Sequence, residues 1–216
     1  MNTIVKYMAV CGLLAVLAGG AQHLYADWKE VRSLIVQGET QKDRKQQEAI
    51  YRRAYTMAQR SVAASPGSSN EHLWLANAAG RLAMVVSNDE RIELSKVVKD
   101  NAERAIALDG RNGQAYMTLG AWHYYVAGLS WVQRTAANVF YGGLPDASYR
   151  DAVNNLSKAV KFGVENPVEA YYLRALTYRK LDNDQAARAD FRRSAEAKAR
   201  NARERELQQK ARKWIK

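Results

Sequence analysis

The sequence predicts an all-α fold in which pairs of helices stack into a short solenoid. Apolar residues recur at helical spacing along most of the chain, and three stretches can be laid over one another. In each stretch an aromatic residue stands in the leading helix, and a small residue stands at one matching position of the trailing helix. The aromatic residues are Trp74, Tyr116 and Tyr171, and the small residues are Ala105, Ala159 and Ser194. Composition agrees, because the 216 residues include only three prolines and thirteen glycines.

The intervals between equivalent residues indicate units close to the tetratricopeptide length of about 34 residues. Ala159 and Ser194 are 35 residues apart, whereas Ala105 and Ala159 are 54 apart. The longer interval requires an insertion of about twenty residues, which we assign to residues 129–147. The first repeat is also long, and we expect its helices to be extended around Asn88.

The repeats are flanked by further helices. Apolar residues at helical spacing predict one helix over residues 27–36, interrupted by Gly38, and a second from Gln41 to about Ala64. We therefore expect a tetratricopeptide-like α-solenoid of about three helix pairs with flanking N- and C-terminal helices. The predicted segments are a signal peptide or anchor at 1–26, N-terminal helices at 27–66, repeats at 67–199 and a basic capping helix at 200–216.

Local signals place several helix ends. Gly110 is expected to end a helix, and Pro167 is expected to open one, since the first helical position needs no amide donor. Within the insertion, Ser130 and Gln133 have the spacing of a capping box.

Two residues depart from the repeat pattern, and one small residue fits it well. Arg174 stands where the pattern favours leucine, and Ser194 stands where it favours alanine. Gly120 is expected to let two helix backbones approach closely.

The N-terminus has the features of an export signal. Lys6 precedes a run of small or apolar residues over 7–21, and a membrane span needs about twenty residues. We expect cleavage near Ala26, with cleavage after Ala21 as an alternative, and a periplasmic location. The other alternative is that residues 7–21 remain as a membrane anchor.

Nothing in the sequence points to catalysis. The one cysteine, Cys11, lies inside the apolar run, so the processed chain would lack a thiol. The three histidines, His23, His72 and His123, have no metal-ligand spacing, and no nucleotide or nucleophile motif occurs. We predict no enzyme, no cofactor and no metal. The net charge of +11 would suit nucleic acid, but the export signal argues against that partner.

The C-terminal region is strongly basic. From Arg188 to Lys216 it holds eleven Lys or Arg and four Asp or Glu, a net of +7. Its apolar residues fall on one helix face, which favours a cap over the last repeat. Contact with anionic lipid or polymer is the alternative.

If the repeats stack, the leading helices line the concave face, which offers a binding surface. That surface is aromatic and apolar on one side and basic on the other, which suits a peptide or an amphiphile with an anionic head. The predicted binding residues are His72, Gln114, Met117, Ala121, Tyr124, Tyr125, Tyr172, Leu176, Arg179 and Lys180. The insertion either packs beside the solenoid or forms a lid over this groove.

The insertion also carries a resemblance to a known family. The residues Trp122 to Val132, continuing through Thr135 to Ala137 and Phe140 to Gly142, are similar to the regulator of microtubule dynamics family. The resemblance covers roughly residues 45 to 200. It implies an all-helical tetratricopeptide-like domain, often at or near a membrane, with links to microtubules and lipid handling. It supplies no catalytic residues. The export signal is the departure, since a periplasm has no microtubules.

Three functions follow from these observations. The first is a non-enzymatic scaffold of the cell envelope that binds a protein or peptide on its concave face. The second is a carrier of phospholipid or another amphiphile, which would also meet a membrane surface. The third is a membrane-anchored adaptor of the microtubule-associated type, which requires an uncut N-terminus and a domain that faces the cytoplasm.

Overall fold

The computed structural model describes residues 27–215, except for the side chains of residues 140 and 141. Within this part of the chain it contains ten helices and no strand. The helices are α1 Trp28–Thr40, α2 Arg44–Ala64, α3 Ser69–Ala83, α4 Asn88–Leu108, α5 Gly113–Ala127, α6 Trp131–Tyr141, α7 Tyr149–Phe162, α8 Pro167–Lys180, α9 Asp184–Glu196 and α10 Ala202–Trp214. None of these helices is both long and apolar enough to cross a bilayer. The predicted signal or anchor and Cys11 lie outside the described residues.

The helices begin where side chains can cap them. A Ser, Asp or Asn side chain accepts a hydrogen bond from a backbone N–H of the first turn in nine of the ten described helices. Asparagine has this role for α5, α8, α9 and α10. Such caps satisfy amide donors that a helix leaves without an internal partner.

The helices pack as consecutive antiparallel pairs, which confirms the predicted fold class. Helix α3 packs on α4, α5 on α7 and α8 on α9, and each trailing helix also contacts the next leading helix. Leading helices contact one another in order: α1 with α3, α3 with α5, α5 with α8, and α8 with α10. The leading helices therefore form one layer of the solenoid and the trailing helices the other.

The region before the predicted repeats forms a further pair. Helices α1 and α2 contact each other, and α1 contacts α3 as one leading helix contacts the next. The expectation that Gly38 interrupts the first helix is wrong, because α1 continues to Thr40. Glycine is required there for space, since a Cβ at Gly38 would overlap the Tyr51 ring of α2.

The insertion contains a helix of its own, and the trailing helix of the first repeat is longer than those of the next two. Helix α4 has 21 residues against 14 in α7 and 13 in α9. Helix α6 begins at a complete Ser130–Gln133 capping box and ends at Gly142, whose φ of 69° is left-handed. Pro167 is the first residue of α8. Gly110, by contrast, does not adopt the left-handed conformation. The residue that follows α4 is Asp109, and its backbone is extended.

The core is divided into clusters that follow the pairs. The largest joins α2 to α5 through side chains such as Tyr51, Leu82, Leu94 and Trp122. The last cluster, around Phe191, is closed by Ala211 and Ile215 at the C-terminus. Helix α10 therefore covers the apolar side of the final pair, as a solenoid cap does.

Candidate functional site

The inner layer, formed by the leading helices α1, α3, α5, α8 and α10, is the candidate binding surface. Its most exposed aromatic side chain is Tyr125 of α5, which is 63% exposed. The Tyr125 ring meets the Tyr124 ring edge to face at 5.3 Å between centroids. The Tyr124 ring in turn lies 6.0 Å from that of Tyr149. Tyr125 therefore has an aromatic neighbour in Tyr124 and still presents much of its surface to solvent.

The other predicted residues of α5 are less accessible. Met117 is buried, and Ala121 is partly buried beside it in a cluster that includes Leu173 of α8. These two residues hold neighbouring leading helices together. The Gln114 side chain is partly buried, and its Oε1 has no hydrogen-bond partner among the described residues.

His72 does not lie on the candidate surface, contrary to the prediction. It is buried, with Nδ1 at 2.8 Å from Asn101 Oδ1 of the trailing helix α4. Its Nε2 lies 3.0 Å from the carbonyl oxygen of Pro66. Both ring nitrogens are thus used within the fold, and His72 ties the α2–α3 loop to the first repeat.

The predicted residues of α8 face the capping helix. Tyr172 and Leu176 are partly buried in the last core cluster, and the Tyr172 ring contacts the Phe191 ring at 5.7 Å. Arg179 is exposed, but its guanidinium lies 3.9 Å from the centroid of the Trp214 ring. Lys180 is exposed at the end of the helix. The repeat pattern assigns these residues to a leading helix, but it does not show that Tyr172 and Leu176 pack against α10.

Charged residues that the sequence analysis did not select cross the inner layer. Arg203 Nη2 of α10 lies 2.7 Å from Glu169 Oε1 of α8, and Arg203 Nη1 lies 3.9 Å from Glu39 Oε1 of α1. Glu39 Oε1 also contacts Arg81 Nη2 of α3. We call Arg81, Glu39, Arg203 and Glu169 the ionic bridge. It joins four of the five leading helices.

Three of the four residues of the ionic bridge act electrostatically on Tyr125. Burial raises the pKa of Tyr125; the Glu169 carboxylate also raises it, and Arg203 and Arg81 oppose the rise. Burial also works against the charge of Arg203, but the carboxylates of Glu169 and Glu39 leave its pKa raised. Arg203 therefore stays charged at the centre of the inner layer.

No sequence pattern could have located this bridge. Glu39 and Arg203 are 164 residues apart, and their approach depends on the curvature of the whole stack. Repeat alignment identifies which helices are leading, but it does not determine how tightly they curve.

The insertion lies away from the inner layer. Helix α6 contacts the trailing helix α4, and Leu129, Leu144 and Ala147 pack against the core of the first repeat. The Arg134 guanidinium donates to the carbonyl oxygen of Val126 at 2.9 Å, which caps the end of α5. In the described part of the chain, α6 packs beside the solenoid and does not form the alternative lid over the groove.

The side chains that could carry chemistry are dispersed. Within residues 27–215 no three His, Cys, Asp or Glu side chains gather in a way that could hold a metal ion. His123 is buried between α5 and its neighbours, with its ring edge to face against Trp122 at 5.0 Å. The His123 ring therefore packs within the fold.

Comparison with known proteins gives one family and one fold. The family model described as regulator of microtubule dynamics protein 1-3 matches residues 6–216. A regulator of microtubule dynamics protein 3 from Xenopus laevis is 31% identical over 116 residues, which is 54% of this chain and 25% of the relative. A human regulator of microtubule dynamics protein 2 is 27% identical over 134 residues, 61% of this chain and 32% of the relative. The chain thus matches less than half the length of these curated relatives.

A solved structure supports the architecture independently. The crystal structure of a thermophilic TPR protein from Thermus thermophilus superimposes with a TM-score of 0.51 and 14% sequence identity. The match covers 86% of this chain and 98% of the other. At this level of identity the likeness concerns the tetratricopeptide-like fold alone.

Proposed function

Because the chain belongs to the regulator of microtubule dynamics family, we propose that it is a non-enzymatic scaffold that binds a protein or peptide partner on its inner layer. The observation that carries this proposal is the position of Tyr125. An aromatic ring that is exposed, packed against a second ring and acted on by charged groups is a typical anchor for a partner chain. Tetratricopeptide-like solenoids use this layer for binding.

The test is site-specific photocrosslinking in the cell of origin. A photoreactive phenylalanine at Tyr125 should crosslink a defined protein, identified by mass spectrometry. The same group at Arg104, which is exposed on the trailing helix α4, should not crosslink that protein. Equal crosslinking from both positions, or none from Tyr125, would overturn the assignment of the inner layer.

Tyr125→Ala is the substitution best suited to test the partner contact. Tyr172 and Arg179 are less suitable, because they also pack on Phe191 and Trp214 and their loss would loosen the cap. The Tyr125→Ala variant should lose the partner while it keeps its helical circular dichroism. Arg104→Ala is the matched control on the other layer and should keep the partner.

The location proposed for this scaffold is the cell envelope, after cleavage near Ala26. The apolar run at residues 7–21 and the small residues that follow it support this location. Mass spectrometry of the protein purified from its own cells tests it. A chain that starts near Asp27 supports export, and an intact Met1 supports the anchored alternative.

The names of the relatives favour a second candidate, an adaptor of the microtubule-associated type. It requires an intact N-terminal anchor and a domain on the cytoplasmic side of the membrane. Protease protection in spheroplasts separates the two candidates, since only a cytoplasmic domain is then protected from protease added outside the inner membrane. The lipid-carrier alternative predicts phospholipid at a defined ratio in native mass spectra, although the structure offers no lid from α6.

A further inference from the structure

The ionic bridge connects the two ends of the described solenoid. Glu39 lies in the last turn of α1, and Arg203 lies in the first turn of α10. Within residues 27–215, α1 packs on α2 and α3. In this part of the chain its backbone does not pack against α8 or α10. Long side chains link α1 to the C-terminal half of the chain instead. Arg203 of α10 contacts Glu39, and Arg32 contacts Glu165 of the α7–α8 loop at 2.7 Å.

Such ion pairs link the two sides of the inner layer, but they hold them together only weakly. The four side chains of the ionic bridge are partly exposed, and ion pairs of this kind each stabilise by at most about 1 kcal/mol. Packed helices resist separation much more strongly, because burial of apolar surface is lost. The inner layer can therefore open at the bridge while the helix pairs stay intact.

Two guanidinium groups converge on one carboxylate at this point. Glu39 Oε1 contacts Arg81 Nη2 of α3 and Arg203 Nη1 of α10. A planar guanidinium matches the geometry of a carboxylate, and two of them make a site suited to that group. The charges of both arginines also act on the Tyr125 hydroxyl.

Among the residues of the ionic bridge, Glu39 has a less favourable electrostatic position than Arg81. Its place in the last turn of α1 puts a negative charge where the helix dipole is already negative. Arg81 is in the last turn of α3, where the same dipole favours a positive charge. An external carboxylate can thus replace Glu39 while Arg81 keeps its favourable position.

We propose that Arg81 and Arg203 form a carboxylate-binding site on the inner layer, which Glu39 occupies in the free protein and an acidic peptide occupies in the complex. This inference rests on the proposed scaffold function and names the chemistry of its partner. The net charge of the chain, +11, favours the approach of an acidic partner. The bridge then excludes partners that lack a carboxylate at this point.

The experiment measures binding of a fluorescent oligoglutamate peptide to the full chain by anisotropy, with oligoglutamine of the same length as the neutral probe. Glu39→Gln frees the Arg81 guanidinium and leaves Arg203 paired with Glu169 alone. Oligoglutamate should then bind up to about tenfold more tightly, the equivalent of two weak ion pairs. Arg203→Gln removes half of the site and should weaken binding by about tenfold. The double variant should lose the gain of Glu39→Gln.

Arg32→Gln is the matched control, because it breaks the other cross-groove ion pair and leaves the site intact. It should change the affinity for oligoglutamate less than twofold, and every variant should retain its helical circular dichroism. If Arg203→Gln tightens binding as Glu39→Gln does, the bridge is only a gate and the carboxylate site is wrong. Equal binding of oligoglutamine would also overturn it.

The two proposals can fail separately. If the Tyr125 crosslink identifies a partner but no variant binds oligoglutamate, the scaffold function stands and the carboxylate site is wrong. If oligoglutamate follows the predicted order but no crosslink forms at Tyr125, the site stands and the proposed scaffold function fails.

Discussion

Arg174 of α8 and Asp190 of α9 form a two-point ion pair inside the last helix pair. Arg174 Nε donates to Asp190 Oδ2 at 2.6 Å, and Arg174 Nη2 donates to Asp190 Oδ1 at 2.9 Å. Asp190 is fully buried and also accepts from Arg193 at 2.7 Å, while Arg174 Nη1 donates to Ser157 of α7. The arginine that departs from the repeat pattern thus has a complete set of partners.

The pair predicts an order of stabilities among three variants. Asp190→Leu leaves Arg174 buried without its carboxylate, and it should lower the free energy of unfolding by about 3 to 5 kcal/mol. Arg174→Leu should cost less, because Arg193 still pairs with Asp190. The double variant, with two apolar side chains, should recover most of the loss. Urea denaturation of the three proteins measures the order, and a double variant less stable than Asp190→Leu would contradict this account.

The helices and their pairing could be predicted because they depend on local chemistry. Ser130 and Gln133 cap a helix through residues three apart, and Gly120 faces Leu156 because both occupy repeat positions. The contacts of Arg174 could not be predicted, since a repeat pattern records the usual residue and not the partner that permits an exception. The contact between Glu39 and Arg203 depends on the curvature of the stack. Every helix–helix contact contributes to that curvature, so no local pattern predicts it. The prediction that His72 lies on the binding surface is wrong, because repeat alignment assigns a residue to a helix but does not give the direction of its side chain.

Close helix approach at Gly120 predicts opposite effects for two helical glycines. A Cβ at Gly120 would lie 2.8 Å from Leu156 Cγ, whereas a Cβ at Gly80 would lie 3.6 Å from Val98 Cγ2. Gly120→Ala should destabilise by about 1 to 3 kcal/mol through overpacking. Gly80→Ala should stabilise by up to about 1 kcal/mol, because alanine favours the helix and has room. Thermal unfolding compares them, and a higher Tm for Gly120→Ala would show that α5 and α7 are not in close contact.

The cap predicts different consequences for two tryptophans. Trp214 stacks on Phe191 at 5.6 Å between ring centroids and carries Arg179 on its face. Trp131 of α6 is 78% exposed. Trp214→Ala should lower the free energy of unfolding by about 1 to 2.5 kcal/mol, from the stacked pair and the cation–π contact. Trp131→Ala should change it by less than about 0.5 kcal/mol. Equal losses in guanidinium denaturation would mean that α10 does not cap the last pair.

The buried histidine predicts a loss of stability on acidification. Burial lowers the pKa of His123 below 6.5. Two smaller effects follow: the Asp151 carboxylate raises this pKa, and Lys99 lowers it. Below pH 6.5 the unfolded chain therefore binds more protons at this residue than the folded chain, so the free energy of unfolding falls as the pH is lowered, by at most about 1.4 kcal/mol per pH unit.

Burial raises the pKa of Glu71, which acts in the opposite direction above pH 4.5, so the measured quantity is the difference between the natural chain and His123→Gln. Urea denaturation from about pH 7.5 to 5.5 should show the natural chain losing stability relative to the variant. A difference that stays constant with pH would mean that His123 accepts its proton equally well in the folded and unfolded chains.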